Sequence, residues 1–221
     1  MKYIIHTCDD RFWYVTHYLV KDMISQGISI KDIIFMNDND HIGNLAMWLY
    51  SCEWISKNLN PNEGCVHLQD DVLICHDFYE RTKDMNGDNI QCGFVCENFN
   101  PSLVEYTGVQ DVSHMWLSFQ CIYIPNKYMG EFLGWFNEVV VKGGKWYNYY
   151  SSNKYDDFFF NKFIRQRHKE IKTINLIPNL VEHIDYIIGG STINNHKSKY
   201  NRSAYFNDTE LVKELERKLL K

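Results

Sequence analysis

Strand-like apolar runs alternate with segments of helical periodicity over the first 98 residues, and this order restricts the chain to few folds. Strands are predicted at KYIIHT, DIIFMND, CVHLQ and IQCGFVC, and helices over 12–24, 45–55 and 74–85. Gly27 and the turn-forming segment NLNPNEG follow the first two helices, as helix-terminating residues do. This βαβαβ order predicts an α/β fold with a Rossmann-like, doubly wound and mostly parallel sheet flanked by helices.

The second half of the chain continues the alternation with longer loops. Helices are predicted over 128–140, 156–171 and 209–221, strands over 116–124 and 173–184, and loops over 142–155 and 189–206. No repeat, low-complexity segment or linker separates these elements. We therefore expect a single domain over 1–221, with an amphipathic C-terminal helix in 207–221.

The charge of the chain is distributed unevenly, although its net value is only −5. Residues 1–110 carry seven basic against 16 acidic residues, and residues 111–221 carry 16 against 12. The basic excess is greatest in 142–202, with 11 basic against five acidic residues. Because the two halves differ in the sign of their charge, we expect them to have different functions.

The composition indicates a compartment as well. No run of 18 apolar residues occurs, and the short apolar N-terminus meets Asp9 and Asp10 at once, so neither a membrane span nor a signal peptide is expected. The chain has seven cysteines, an odd number, with no CxxC pair. This usage is typical of a reducing environment, so we expect a cytoplasmic protein without disulfides.

Polar residues collect where the predicted strands end. They are Thr7 and Arg11 after the first strand, Asn37 and Asp38 after the second, Gln69, Asp70 and Asp71 after the third, and His183 and Ser191 after the last. The carboxyl ends of parallel strands meet at one edge of a sheet, and ligands of open α/β sheets bind outside that edge. We therefore expect these side chains to converge on one site.

Asp70 and Asp71 are adjacent carboxylates between two apolar runs, where mutual repulsion opposes their burial. A divalent cation would remove that repulsion, and carboxylate oxygens with one imidazole suit Mn²⁺ or Mg²⁺. We therefore predict a metal ion at this edge that holds a diphosphate. A solvated turn is the alternative for the two acids, and an ordinary half-buried histidine is the alternative for His183.

These residues resemble a known enzyme family. LQDDV is similar to the LEDDV-type metal motif of glycosyltransferase family 25 and of small phage-encoded glycosyltransferases, and LIPNLVEHI followed by GGST resembles their later Pro…His…Ser segment. The opening KYIIHTCDDRFWYV is similar to the phage-type enzymes, and the resemblance extends from Met1 to about Phe206. It implies a GT-A fold and a metal-dependent glycosyltransferase that uses a nucleoside-diphosphate sugar, UDP-sugar by preference. For a phage-encoded enzyme, the compartment would be the host cytoplasm.

The resemblance also implies roles for single residues. Asp71 resembles the metal ligand that meets the diphosphate, His183 the second protein ligand, and Asp70 the acid nearer the sugar. Gln69 stands where family members often carry an acid that touches the ribose, which is a departure from the pattern. Residues 1–110 would then form the donor half and 111–206 the acceptor half. The remaining donor-binding positions would be Thr7, Arg11, Asn37, Asp38 and Ser191.

Asp156 and Asp157 resemble the acid before a helix that serves as general base or orients the acceptor hydroxyl, although two acids at this position can also simply cap the helix. Trp146, Arg165 and Arg167 are candidate acceptor-binding residues, because basic groups neutralise phosphates and aromatic rings stack on bases. This favours a 5-hydroxymethyl pyrimidine in phage DNA, 5-hydroxymethylcytosine among them, as the acceptor. Aromatic rings also stack on sugars, so a cell-surface or lipopolysaccharide glycan is the alternative. A third hypothesis is a non-catalytic module that binds metal and nucleotide.

Overall fold

The computed structural model describes residues 1–94, 108–111, 117–144, 156–167, 169–190 and 206–220. The strands are β1 (Lys2–Thr7), β2 (Ile33–Asn37), β3 (Gly64–Gln69), β4 (Val72–Ile74), β5 (Ile90–Cys92), β6 (Gly108–Asp111), β7 (Cys121–Pro125), β8 (Thr173–Ile177) and β9 (Val181–His183). Within the described residues, seven of them form one sheet in the order β2-β1-β3-β7-β5-β8-β6, and β4 pairs with β9 in a small second sheet.

Most strands of the large sheet run in one direction. The parallel pairs β1–β2, β1–β3 and β5–β8 and the antiparallel pairs around β7 and β6 leave five strands, β1, β2, β3, β5 and β8, pointing the same way. Helices lie on both faces of the sheet, as the two core clusters show. The predicted α/β fold with a mostly parallel sheet flanked by helices is therefore confirmed.

The helices follow the predicted order with shifted ends. They are α1 (Asp9–Tyr14), a π-helical segment (Val15–Leu19), α2 (Val20–Ser25), a 3-10 turn (Ile30–Asp32), α3 (Asn44–Asn58), α4 (Phe78–Thr82), α5 (Lys127–Trp135), a second π-helical segment (Phe136–Lys142), α6 (Asp156–Gln166) and α7 (Thr209–Leu219). None of the helices in the described ranges is long and apolar enough to cross a membrane.

The core has two parts because side chains alternate across each strand. Ile5 of β1 and Leu68 of β3 belong to the cluster that packs against α1, α2, α4 and α7. Ile4 of β1 belongs to the opposite cluster, which includes Trp48 of α3 and Phe160 of α6. Helices α1 and α6 thus pack on opposite faces of the sheet.

Several predicted elements have other bounds in the structure, and those around the site differ most. The predicted strand 173–184 is divided into β8 and β9, because Pro178 lacks the N–H that a continuous ladder requires. The predicted helix over 74–85 is preceded by β4 and shortened to α4, and the predicted helix over 156–171 ends at Gln166. The division at Pro178 matters for function, since it frees β9 to leave the large sheet and pair with β4.

Candidate functional site

The strand ends that were expected to converge do so in the structure. Thr7 at the end of β1 lies opposite Asn37 of β2, and His6 lies opposite Gln69, the last residue of β3. Asp70 and Asp71 follow immediately. The carboxyl ends of three parallel strands are therefore level, which places both acids at the edge where α/β sheets bind their ligands.

Arg11 bridges the two acids. One nitrogen of its guanidinium, Nη1, lies 3.0 Å from Asp70 Oδ1 and 2.7 Å from Asp71 Oδ2. Arg11 is 3% exposed although its chain neighbours are exposed, because the first turn of α1 directs it under the strand ends. The repulsion between the acids is thus offset by a protein cation, Arg11, for which the sequence predicts only a role in donor binding.

His183 reaches the same carboxylate through the small sheet. The antiparallel pairing of β4 with β9 sets Val72 opposite His183, and Ile184 N–H donates to the carbonyl oxygen of Asp71 at 2.8 Å. As a result, His183 Nε2 lies 3.2 Å from Asp71 Oδ2. The two residues predicted as metal ligands are neighbours, although they are far apart in the chain.

A glycine turn closes the site behind Arg11. Gly189 and Gly190 have φ values of +119° and +90°, which only glycine adopts without strain. Gly190 N–H donates to the carbonyl oxygen of Asp185 at 2.6 Å, and Arg11 Nη2 donates to the carbonyl oxygen of Gly190. The turn therefore directs a backbone carbonyl at the guanidinium and helps to hold it against the acids.

The buried charged groups of the site shift each other's pKa values. Burial alone would lower the pKa of His183, but the charge and hydrogen bond of Asp71 outweigh it, with help from Asp185, and raise that pKa to about 9. Burial raises the pKa of Asp70 to about 6, although Arg11 acts in the opposite direction. Burial would also raise the pKa of Asp71, yet His183 and Arg11 hold it below its usual range. Asp71 therefore loses its proton at a lower pH than Asp70 does.

These shifts predict how stability depends on pH in the metal-free protein. Because the folded state raises the pKa of His183 from 6.5 to about 9, its proton stabilises the fold fully below pH 6.5, and this contribution is lost as pH rises through 9. We expect the free energy of unfolding, measured by urea titration in EDTA, to fall across that window by about 1–3 kcal/mol. The groups that face His183 and set this shift are Asp71, Asp185 and Arg11.

His183→Gln should flatten the decline between pH 6.5 and 8. Above about pH 8.5 a second loss is expected in both proteins, because burial raises the pKa of Cys92 and Cys121 in the folded state. The informative quantity is therefore the difference between the variant and the wild type at each pH. An unchanged pH profile in His183→Gln would show that the imidazole does not carry the effect.

The chemistry of the site fits a divalent cation. Asp71 Oδ1 is buried, and no described residue hydrogen-bonds to it, so it has lone pairs to offer. Two cis ligands of an octahedral ion at 2.0–2.1 Å lie about 3 Å apart, close to the 3.2 Å between Asp71 Oδ2 and His183 Nε2. No cluster of three or more His, Cys, Asp or Glu side chains suited to a metal occurs among the described residues. Mg²⁺ commonly takes few protein ligands and lets substrate phosphates supply others.

The remaining donor-binding candidates are engaged locally. Asn37 Nδ2 donates to Asp9 Oδ1 at 3.2 Å. Both carboxylate oxygens of Asp38 accept backbone N–H groups, from Ile42 at 2.8 Å and Gly43 at 2.9 Å. Asp38 thereby shapes the turn before α3, and this use of both oxygens competes with a direct role in binding a base. Ser191 lies outside the described residues.

Of the residues predicted to act on the acceptor, only some lie within the described part of the chain. Helix α6 begins with Asp156 and Asp157. Further along this helix, the ring centre of Phe160 lies 5.4 Å from that of Trp48, and the ring centre of Trp48 lies 5.1 Å from that of His67 in β3. The second turn of α6 therefore packs near β3, which ends just before Asp70, on the face of the sheet opposite α1. Arg165 is exposed on α6, and Trp146 lies outside the described residues.

Arg167 makes contacts that the sequence did not indicate. Its guanidinium donates to Glu131 and Glu170, and it lies 5.5 Å from the ring centre of Phe163. Lys142, the first residue of the basic segment, is likewise paired with Glu138 at 2.6 Å. These pairs neutralise part of the charge that was predicted to face phosphates.

Three site features escaped the sequence analysis. Asp185 Oδ1 lies 3.9 Å from His183 Nδ1, and Tyr14 donates its hydroxyl hydrogen to the carbonyl oxygen of Val72 at 2.8 Å. The third is the carbonyl group of Gly190. Asp185 follows His183 by two residues, so the period of a strand could have indicated it. The other two depend on distant contacts that leave no local pattern.

Comparison with known proteins gives a structural likeness only. No protein-family model matches the chain, and no curated protein matches it in sequence. Among solved structures, the galactosyltransferase LgtC in complex with donor and acceptor sugar analogues is similar over 100% of this chain and 97% of its own, with 13% identity and a TM-score of 0.49. An active-site mutant of LgtC gives 14% identity and a TM-score of 0.43 over the same shares. We therefore argue function from the side chains of the site.

Proposed function

We propose that the protein is a GT-A-type glycosyltransferase that transfers a sugar from a nucleoside diphosphate to a hydroxyl group. The observation that carries the proposal is the buried acid pair at the end of β3, with His183 beside Asp71 and a buried oxygen of Asp71 to which no described residue hydrogen-bonds. Such a pair at the carboxyl edge of a mostly parallel sheet suits a cation with a diphosphate. The LQDDV and LIPNLVEHI motifs support the same conclusion.

Each residue then has a chemical task. Asp71 and His183 would hold Mn²⁺ or Mg²⁺, which stabilises the charge that develops on the leaving diphosphate when it is bound. Asp70 would orient the sugar, while Thr7 and Arg11 line the donor side. Asp156 or Asp157 would take the proton of the acceptor hydroxyl from the opposite face of the sheet.

Slow hydrolysis of the donor tests this proposal without knowledge of the acceptor. The protein would be incubated with a panel of UDP- and other nucleotide sugars and Mn²⁺, and release of nucleoside diphosphate would be measured. We expect turnover with at least one donor and none in excess EDTA. Nucleotide binding without any turnover, even with candidate acceptors present, would instead support the non-catalytic module.

For the acceptor, we propose a hydroxyl group of a glycan rather than that of a modified DNA base. The observation that favours it is the pairing of Arg167 and Lys142 with nearby glutamates, which leaves less unpaired positive charge on the described part of the basic segment. DNA binding requires Lys and Arg side chains that neutralise phosphates. A glycan acceptor does not, since aromatic rings and hydrogen bonds can hold it.

A binding titration distinguishes the two acceptors. With plain and hydroxymethylated duplex at two salt concentrations, we expect little affinity and little dependence on salt. A DNA acceptor would instead give an affinity that falls linearly with log[salt], and replacing Arg165 and Arg167 together would shallow the slope by roughly one to two units. Sugar-modified nucleosides from hydroxymethylated DNA, found by mass spectrometry after incubation with mixed donors, would also overturn the glycan assignment.

A further inference from the structure

Arg11 occupies the position that the acid pair offers to a cation. A single atom, Nη1, contacts oxygens of both Asp70 and Asp71, as a bridging ion would, and Nη2 donates to Gly190 behind it. The side chain is 4% exposed. Arg11 and His183 both contact Asp71 Oδ2, so the carboxylate oxygen nearest to His183 already has two partners.

We propose that Arg11 is a resident cation that competes with the divalent ion for Asp70 and Asp71, and that it turns from the acids to the donor diphosphate when ion and nucleotide bind together. This inference rests on the proposed function. With Arg11 in place, the two carboxylates already contact a buried guanidinium and the imidazole of His183. An ion added by itself would therefore face a buried guanidinium a few ångströms away.

The diphosphate supplies the partner that Arg11 needs in order to leave. A guanidinium presents paired N–H donors that match phosphate oxygens, and Arg binds phosphate through two parallel hydrogen bonds. Because the first turn of α1 follows β1 directly, Arg11 is anchored beside the strand ends where the diphosphate would lie. The exchange makes ion binding conditional on the nucleotide, since neither the acids nor the guanidinium is left buried without a counter-charge.

Binding of Mn²⁺, measured from the decrease in the EPR signal of the free ion, tests the competition directly. We expect wild-type protein to bind Mn²⁺ weakly, and Arg11→Gln to bind it at least about tenfold more tightly, because the competing charge is gone. UDP, used as the nucleotide probe, should bind more weakly to the same variant. A gain for the ion together with a loss for the nucleotide is not expected from a residue that serves only to maintain the fold.

Thermal unfolding gives a second measurement that does not depend on activity. Without metal, Arg11→Gln should have a Tm lower by roughly 6–20 °C, because two buried acids lose their partner. Mn²⁺ should restore much of that loss, while it changes the Tm of the wild type little. Arg81→Gln is the matched control: Arg81 also contacts an acid, Asp77, and a backbone carbonyl, that of Pro178, outside the site. Its Mn²⁺ affinity should equal that of the wild type.

Arg11→Lys keeps the test decisive if the Gln variant does not fold. A single ammonium cannot hold both acids and Gly190 as the planar guanidinium does, so Mn²⁺ affinity should lie above that of the wild type. Wild-type Mn²⁺ affinity in every Arg11 variant that folds would overturn the competition, whatever the enzyme turns over. Conversely, tighter Mn²⁺ binding in these variants with no turnover of any nucleotide sugar would uphold the competition and reject the glycosyltransferase.

Discussion

Asp71→Asn is expected to lower the rate of donor turnover by about 10²–10³-fold. Asp71 contacts both Arg11 and His183, and its lost charge removes the carboxylate that we assign to the ion. Stabilisation of a leaving group by a metal contributes several kcal/mol, and each 1.36 kcal/mol corresponds to a factor of ten in rate. The measurement is release of nucleoside diphosphate at saturating donor and Mn²⁺.

Asp84→Asn is the matched control, because Asp84 is an exposed acid away from the strand ends. Its rate should equal that of the wild type. Asn preserves the shape of the Asp71 side chain, so circular dichroism and thermal unfolding can verify that the variant is folded. Undiminished turnover of Asp71→Asn in excess chelator would remove both the metal and this residue from the mechanism.

A second large effect is expected at the start of α6. Asn in place of the aspartate that takes the acceptor proton should reduce transfer by about 10²–10⁴-fold, because general base catalysis contributes that much. The two single variants, Asp156→Asn and Asp157→Asn, should differ, since only one of these side chains can take the proton. Donor affinity and donor hydrolysis should stay near those of the wild type, because α6 and α1, the helix that carries Arg11, pack on opposite faces of the sheet.

This prediction requires the transfer rate and the hydrolysis rate to be measured separately. Glu53→Gln, an exposed acid on α3, which packs beside α6, serves as the control and should affect neither rate. A parallel loss of hydrolysis and transfer would place the aspartate on the donor side. If both Asn variants transfer sugar normally, the acids only begin the helix and the base lies elsewhere.

The acid pair shows what a local sequence pattern can predict about a site and what it cannot. Two carboxylates after the apolar run CVHLQ predicted a strand end with a counter-charge nearby, and β3 ends at Gln69 as expected. The counter-charge in the structure is Arg11, which comes from the turn after another strand. Which cation meets the acids depends on how β1 and β3 pair, and the order of strands in a sheet is not encoded in the periodicity of either strand.

The last predicted strand shows the same limit. Its composition indicated one strand over 173–184, whereas β8 joins the large sheet and β9 joins β4. Pro178 could have indicated the break, because proline interrupts a ladder of hydrogen bonds. The choice of β4 as partner could not have been foreseen, since that pairing depends on the packing of segments far apart in the chain.

By itself, the sequence determined the α/β class, the mostly parallel sheet and the strand ends that carry Thr7, Asn37, Gln69 and Asp70. These follow from hydrophobic periodicity and from the position of charges, which are local properties. Only the tertiary structure decided that Arg11 neutralises the acids, that β9 brings His183 to Asp71, and that Arg167 is paired with glutamates. Those contacts join residues that are distant in the chain, and they form because burying charge is unfavourable unless a partner is supplied by the fold.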